Sequence, residues 1–404
     1  MSLTDFKEQF DNSYEEIFQK VLVAKSIMNT RFESVLKYGD SIQRIYFNID
    51  NVVVRDVTRG SASTIDTITD TGETLTVNLE KEMVFFVSDG EITQAGPLNP
   101  GEIIGGQVAI KLGADLDRRC FAEVANALYR FDHGDLLTLV STTVASPFEL
   151  TSTTVPQLVT RMQAKLRYRN NITLTNMAFV VDSYAASDIE QYLLGKQYNI
   201  VDAVFKNGYS GTIGTAELYI SENLYATCQL GSIGSVLDGN TVTINGVVLT
   251  AKGDGGTTAG YVAIGTNTSI FFRNLLGAIS SPTVNQKDGT AYCYTAVSDA
   301  SGLVNAGVIA TQPTGANVIN LSAGGRLTVS STLVGCVPNH NTLHCYFGKK
   351  GAIDLVIQDL SNVDMRTTVD RRGTNIFSSY LAGLKTFTDG AKKFLDVQIG
   401  VGNQ

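Results

Sequence analysis

Tryptophan is absent from this 404-residue chain, proline occurs seven times, and charged residues make up only 17% of it. That charged fraction lies below the quarter or so usual for globular domains. With 38 glycines as well, much of the surface is expected to lie against neighbouring molecules or in β-rich loops. No run reaches the 18 or so apolar residues of a membrane span, so no membrane partner is expected. The opening residues, MSLTDFKEQFDNSYEE, are acidic and polar rather than a basic and apolar leader, and folding in a cytoplasm is expected. Basic clusters are missing too: Arg118-Arg119, Lys349-Lys350, Arg371-Arg372 and Lys392-Lys393 are isolated pairs in a chain of formal net charge −8. This argues against affinity for nucleic acid through phosphate neutralisation. It permits a wall that touches nucleic acid without sticking to it. The five cysteines are odd in number and scattered, which suits buried, inert thiols better than a disulfide framework.

What the chain does have is a long helical pattern at Gly105–Phe131. Ala109, Leu112, Leu116, Cys120, Val124, Ala127 and Phe131 recur at spacings of three and four, which places them on one side of a helix. A helix of that span is roughly 40 Å long. A thin subunit that needs a rigid beam has more use for it than an enzyme core.

Residues 2–38 read as an amphipathic arm. Its stripe comprises Phe6, Phe10, Tyr14, Ile17, Val21, Ala24, Ile27 and Met28, and Ser2–Asp5 fits a capping box. The stripe must dock on something, and a neighbouring subunit is preferred here to the arm's own domain. Stretches 42–59 and 73–87 have strand composition, joined by a long loop or flexible hairpin tip at Gly60–Gly72. A two-stranded ribbon is marginal alone in water, so a partner surface is implied. Gly96–Gly101 breaks the chain before the long helix. Helix Val155–Asn170, strand Met177–Val181, helix Ser183–Leu194 and strand Ala216–Ile220 then mark a compact α/β domain.

The run NGYSGTIGTAELYISENL at Asn207–Leu224 resembles a segment of tailed-bacteriophage major capsid proteins. The order of arm helix, two-stranded extended loop, spine helix and α/β domain is similar to theirs. So is the closing section, FGKKGAIDLVI at Phe347–Ile357, followed by Phe377–Ile399 read as a helix and then a hairpin on Asp389-Gly390. The resemblance covers about three-quarters of the chain. It implies an α+β architecture of the Hong Kong 97 type with a β-rich insertion. The implied divisions are an N-terminal arm at 1–40, an extended loop at 41–99, a peripheral domain with the spine helix at 100–149, an axial domain at 150–228, an inserted β-rich domain at 229–335, and an axial return with peripheral strands at 336–404.

The insertion lacks glutamate altogether between Cys228 and Cys336. Val242, Ile244, Val247 and Leu249 read as a hairpin around Asn245-Gly246, a strong turn signal, and Phe271–Ile279 reads as a short amphipathic helix. Strand-like runs follow at Ala291–Val297, Gly307–Ala310, Val318–Leu321 and Arg326–Leu333. As a separate module it should bring Leu230 and Val334 together.

No motif carries chemistry, and no catalytic, cofactor-binding or metal residue is assigned. Cys336, His340, His344 and Cys345 crowd into ten positions, but adjacent His344 and Cys345 point opposite ways on a strand and no C-x-x-C is present. Buried cysteines are the plainer reading. Asp66, Asp70 and Glu73 lack the tight spacing of a calcium loop. His133 between Asp132 and Asp135 imitates a general base, yet the polar end of the spine helix, with Gly134 as its stop, accounts for it. Gly231–Gly234 and Gly253–Gly256 are turn punctuation, not a phosphate loop. The Arg371-Arg372 and Lys392-Lys393 pairs fit solvated faces or ion pairs.

The resemblance implies a non-enzymatic structural protein of a virion, assembled in a host cytoplasm. Hexamers and pentamers of it would form an icosahedral shell around double-stranded DNA. Partners would be further copies, a portal, scaffolding or decoration proteins, and packaged DNA through non-specific contact. The alternatives are an encapsulin-type compartment shell and a phage adhesin or fibre module.

Overall fold

The computed structural model describes residues 9–11, 13–14, 17, 22–36, 41–48, 52–56, 59–60, 65–88, 90, 100–137, 147–151, 154–170, 173–195, 209–213, 215–231, 235–253, 260–265, 267–280, 286–288, 291–293, 303, 307–311, 318–333, 338–367 and 372–400. The expected capping box at Ser2–Asp5, the break at 96–99, Val334 and Cys336 lie outside these. The chain packs as two compact units. One comprises Met1–Val21, Lys25–Gly113 and Lys350–Lys393, and the other Leu22–Ala24, Ala114–Lys349 and Phe394–Gln404.

In chain order the elements begin with α1 (Val23–Ile27), β1 (Ser41–Asn48), β2 (Thr69–Ser88), α2 (Pro100–Ala122), β3 (Tyr129–Phe131) and α3 (His133–Leu137). Next come α4 (Thr154–Asn170), β4 (Met177–Val181), α5 (Ser183–Gly195), β5 (Tyr209–Ile213), β6 (Ala216–Ile220) and β7 (Tyr225–Leu230). Strands β8 (Thr241–Ile244), β9 (Val247–Lys252) and β10 (Tyr261–Ala263) precede α6 (Thr268–Ser280), β11 (Gln286–Asp288), β12 (Ala291–Cys293), β13 (Ile309–Thr311), β14 (Ile319–Gly324) and β15 (Val329–Ser331). The chain closes with β16 (Pro338–Lys349), β17 (Asp354–Thr367), β18 (Gly373–Lys385), α7 (Thr388–Ala391) and β19 (Phe394–Gly400).

The first unit holds a four-stranded sheet in the order β1-β2-β18-β17. β1 and β2 form the expected antiparallel ribbon, with Ser41 opposite Thr76 and Asn48 opposite Thr69. β2 then continues and pairs with β18, as far as Ser88 opposite Gly373. Odd-numbered β2 residues such as Leu75 and Val87 face inward, as half-buried alternation requires. Leu36, Leu75, Val356 and Phe387 form a core cluster beneath this sheet, with Phe32, Ile42 and Val77 packed on it.

The second unit holds a nine-stranded sheet whose main path is β13-β14-β7-β16-β4-β6-β5, with β19 pairing β16 and β3. β4, MAFVV, is buried at all five positions and lies between antiparallel β16 and parallel β6, which accounts for its continuous apolar run. A six-stranded sheet in the order β11-β12-β10-β9-β8-β15 contains the expected β8–β9 hairpin. Asn245 and Gly246 turn it with φ of 47° and 82°, the left-handed pair that a two-residue I′ turn demands. Asn245 Oδ1 also accepts the Thr328 N–H at 2.8 Å.

Four expectations are corrected. The long helix spans Pro100–Ala122 and not Gly105–Phe131. It tightens into a 3-10 turn at Glu123–Asn126, and Phe131 lies in β3 beside β19. Its stripe is otherwise as read, with Ala109, Leu112, Leu116, Cys120 and Val124 buried. Phe377 begins no helix: it lies in β18, where Ile376, Ser378, Tyr380 and Ala382 alternate inward between β2 and β17. The closing hairpin on Asp389-Gly390 is also absent, because α7 intervenes and β19 pairs with β16 instead of β18. Finally, 229–335 does not fold as one module. β13 and β14 join β7 in the nine-stranded sheet, with Ile319, Leu321 and Ala323 buried beside it. Leu230 is therefore matched to Ile319 and Pro338.

Candidate assembly surfaces

The β1–β2 ribbon carries apolar side chains on both faces, although only one face has a core to cover. On the inner face, Ile42 packs on the cluster around Leu75. On the outer face, Ile45 and Phe47 stand 56% and 61% exposed, opposite Gly72 and Asp70. Val84 and Phe86 occupy the same face further along β2 and are also exposed. In the connecting segments Val54 is 99% and Ile65 91% exposed. β1 ends its sheet, and among the described residues no strand pairs with its free edge. Exposed apolar area beside an open strand edge is unusual for a protein that works as a monomer.

The connecting segments are nevertheless tied together. Arg55 clasps Asp66 through two hydrogen bonds of 2.6 and 2.7 Å, and Asp66 also accepts the Val53 N–H at 3.0 Å. The Arg55 bond, helped by that N–H, holds the Asp66 carboxyl below its ordinary value. This clasp places the exposed valines in a defined loop. Glu73 accepts the Thr388 N–H and takes no part in this clasp. Among the described residues no three of His, Cys, Asp and Glu gather as a metal site.

The described part of the arm corrects the preference for docking on a neighbour. Phe10 and Tyr14 are fully buried within their own unit, with Phe10 6.2 Å from the Phe85 ring and Ser13 Oγ donating to the Glu102 carbonyl at 2.9 Å. The close approach needs a helix surface without side chains: a Cβ on Gly105 would lie 2.7 Å from the Phe10 carbonyl oxygen.

His133 is exposed, and its neighbouring carboxylates do not orient it. Asp132 caps α3 by accepting the Gly134 N–H at 3.0 Å, and Asp135 accepts the Asp132 N–H in return, which is capping-box chemistry. Gly134 thus lies in the first turn of a new helix and does not stop the previous one. Asp135 also takes Lys165 Nζ at 2.6 Å in a buried pair. His344 is committed elsewhere too. Its Nδ1 lies 2.9 Å from the Asp396 carboxylate and its Nε2 2.9 Å from Thr227 Oγ1, so both ring nitrogens are occupied. Cys336 and the His340 side chain lie outside the description, and burial pushes the Cys345 thiol well up.

Thr227, His344 and Asp396 line up as hydroxyl, imidazole and carboxylate, an arrangement invisible in a sequence that separates the first two by 117 positions and the last two by 52. His344 is only 7% exposed, and its ring lies tilted against that of Tyr225 with centroids 5.3 Å apart. The row ties β7, β16 and β19 together, with His344 and Asp396 buried and Thr227 half-buried. Asp117, also unmarked in the sequence, is buried in α2 and accepts the N–H groups of Val23 and Ala24. Of the basic pairs, Arg119 bonds Asp115, Lys392 bonds Tyr46 and Lys393 bonds Asp389. Among the described residues no helix is long and apolar enough to cross a membrane.

No family model and no curated protein matches the sequence. Solved structures do resemble it. One from Mycobacterium phage Che8 is 12% identical with a TM-score of 0.47, over 95% of this chain and 91% of that one. The capsid structure of the cyanophage P-SCSP1u is 9% identical with a TM-score of 0.41, over 94% and 86%. The capsid structure of Staphylococcus phage Andhra is 8% identical with a TM-score of 0.41, over 93% and 85%.

Proposed function

We propose that this chain is the major capsid protein of a tailed bacteriophage, with a Hong Kong 97-type fold. Its copies assemble as hexamers and pentamers into an icosahedral shell around double-stranded DNA. The outer face of the β1–β2 ribbon carries the reading: Ile45 and Phe47 are exposed on it beside the unpaired edge of β1, and the same face of β2 continues to the exposed Val84 and Phe86 where it pairs with β18. A further copy laid across that face removes the apolar area from water, at roughly 25 cal/mol per Å². Each contact is modest, and closure with many repeats makes the shell stable. The resemblance in the order of arm, extended loop, spine helix and α/β domain supports the same conclusion.

In this reading residues 41–99 are the extended loop, 100–149 and the strands of 336–404 the peripheral domain, and 150–228 the axial domain. The six-stranded sheet with α6 is the outward ornament of 229–335. Portal, scaffolding or decoration proteins are its other partners, DNA is touched without specificity, and the chain has no catalytic role. Its place is the virion, after assembly in a host cytoplasm. Electron microscopy of the purified chain is the test. Closed shells are expected, and a population that stays monomeric by light scattering at micromolar concentration overturns the proposal.

A further inference from the structure

A polar cleft of about 320 Å³ lies within the first unit, below the start of β17 and beside α7. By volume it holds roughly ten waters. Its charged lining is Arg31, Arg44, Lys350 and Lys393 against Asp354 and Asp389, an excess of two positive charges in a chain of net charge −8. The two carboxylates are already engaged. Asp389 takes Arg44 at 2.7 Å and Lys393 at 3.1 Å, and Asp354 accepts the side-chain amide of Asn29. Burial raises the Asp354 carboxyl, with the Asn29 bond and the charge of Arg44 opposing it. Arg44 is further held over the Phe387 ring at 5.2 Å. It gives one guanidinium nitrogen to Asp389, whereas a guanidinium has five donors in a fixed fork.

We infer that this cleft is a binding site for a phosphate-class oxyanion, held by Arg44 and Lys393 from one side and by Arg31 and Lys350 from the other. With Asp354 and Asp389 counted, the lining holds two more positive charges than negative ones, and a divalent cation there would add to that excess. A multiply charged tetrahedral anion relieves it while accepting several charge-assisted hydrogen bonds. Asn29, Gly351, Ala352 and Gly390 complete the lining. The phosphate can be free or part of a phosphodiester backbone.

Calorimetric titration of the full-length chain separates these sources, using pyrophosphate in one arm and a short DNA duplex in the other at matched ionic strength. Saturable binding of one anion per chain is expected in at least one arm. It should weaken about tenfold or more in Arg31→Gln/Lys350→Gln, as expected for lost bonds to a charged ligand. Heat from pyrophosphate alone assigns a free anion, and heat from the duplex alone assigns a backbone phosphate. The single variants Arg31→Gln and Lys350→Gln are titrated beside the double variant, so that a folding defect in the latter does not hide the result. Absence of saturable heat in both arms overturns the inference, and so does binding unchanged by these substitutions.

Discussion

The Asp117 carboxylate reaches Ala24, 93 positions earlier in the chain, and accepts its N–H at 3.1 Å. It accepts the neighbouring Val23 N–H at 3.2 Å as well, so a buried side chain of α2 satisfies two of the donors that open α1. Burial opposes the charge and pushes this carboxyl up to about 7 from its ordinary 3.8, against the pull of those two bonds.

A raised acid pKa means that the folded state holds a proton which the unfolded chain has released. The contribution of Asp117 is therefore full below pH 3.8 and declines as pH rises toward about 7, by on the order of 4 kcal/mol in all. Urea midpoints measured from pH 4.5 to 8 should fall with pH in the parent chain and fall less steeply in Asp117→Asn. Identical slopes in the two proteins would refute the assignment.

Arg118, the next residue along, lies across Gly324 of β14. A Cβ on Gly324 would stand 2.3 Å from Cγ and 2.9 Å from Cβ of Arg118, atoms too near the helix backbone to swing aside. Gly324→Ala should cost about 1–3 kcal/mol, as overpacking does. Adding Arg118→Ala should recover part of that loss in a double-mutant cycle. Additive effects would show that the two residues do not touch.

On the ribbon, Ile45→Lys/Phe47→Lys replaces two exposed residues that support no core. Stability of the dissociated subunit should stay within about 0.5 kcal/mol for each change, while closed particles vanish from micrographs. Normal particles from this variant would remove the outer face from the assembly contact.

Lys165 and Asp135 form a buried ion pair at 2.6 Å, and Lys165 also donates to the Arg130 carbonyl at 2.5 Å. Lys165→Met strands the carboxylate and should destabilise by about 3–5 kcal/mol. The double variant Lys165→Met/Asp135→Asn should regain some of this in thermal melts. A single variant as stable as the parent would refute the pairing.

Much of the fold is legible in the sequence wherever local chemistry and tertiary environment agree. Asn245-Gly246 announces a turn because only such residues accept its backbone angles, and MAFVV announces a strand buried on both sides. The misread places share another cause. Ala127 and Phe131 continue the helical spacing of α2 by coincidence, while the chain turns at Glu123 and leaves for β19. Phe377, Tyr380, Leu381 and Leu384 also mimic a helix face, yet β18 is held extended by partners on both edges, and these come from positions 77–88 and 354–367. The surfaces that matter most were the least legible. An exposed Ile45 and a buried Ile42 look alike in a sequence. The partners of Asp117 and His344, and the cations of the cleft, meet only through long-range pairing.

Strand β2 is continuous for 20 residues, bonded to β1 over its first part and to β18 over the rest. A load applied at the ribbon tip along its axis therefore enters the sheet as shear, shared by a row of hydrogen bonds that must yield together. Tension across the strand instead unzips the same bonds one at a time. A lattice that tugs its ribbons lengthwise is thus braced by these rungs, and one that twists them sideways is not.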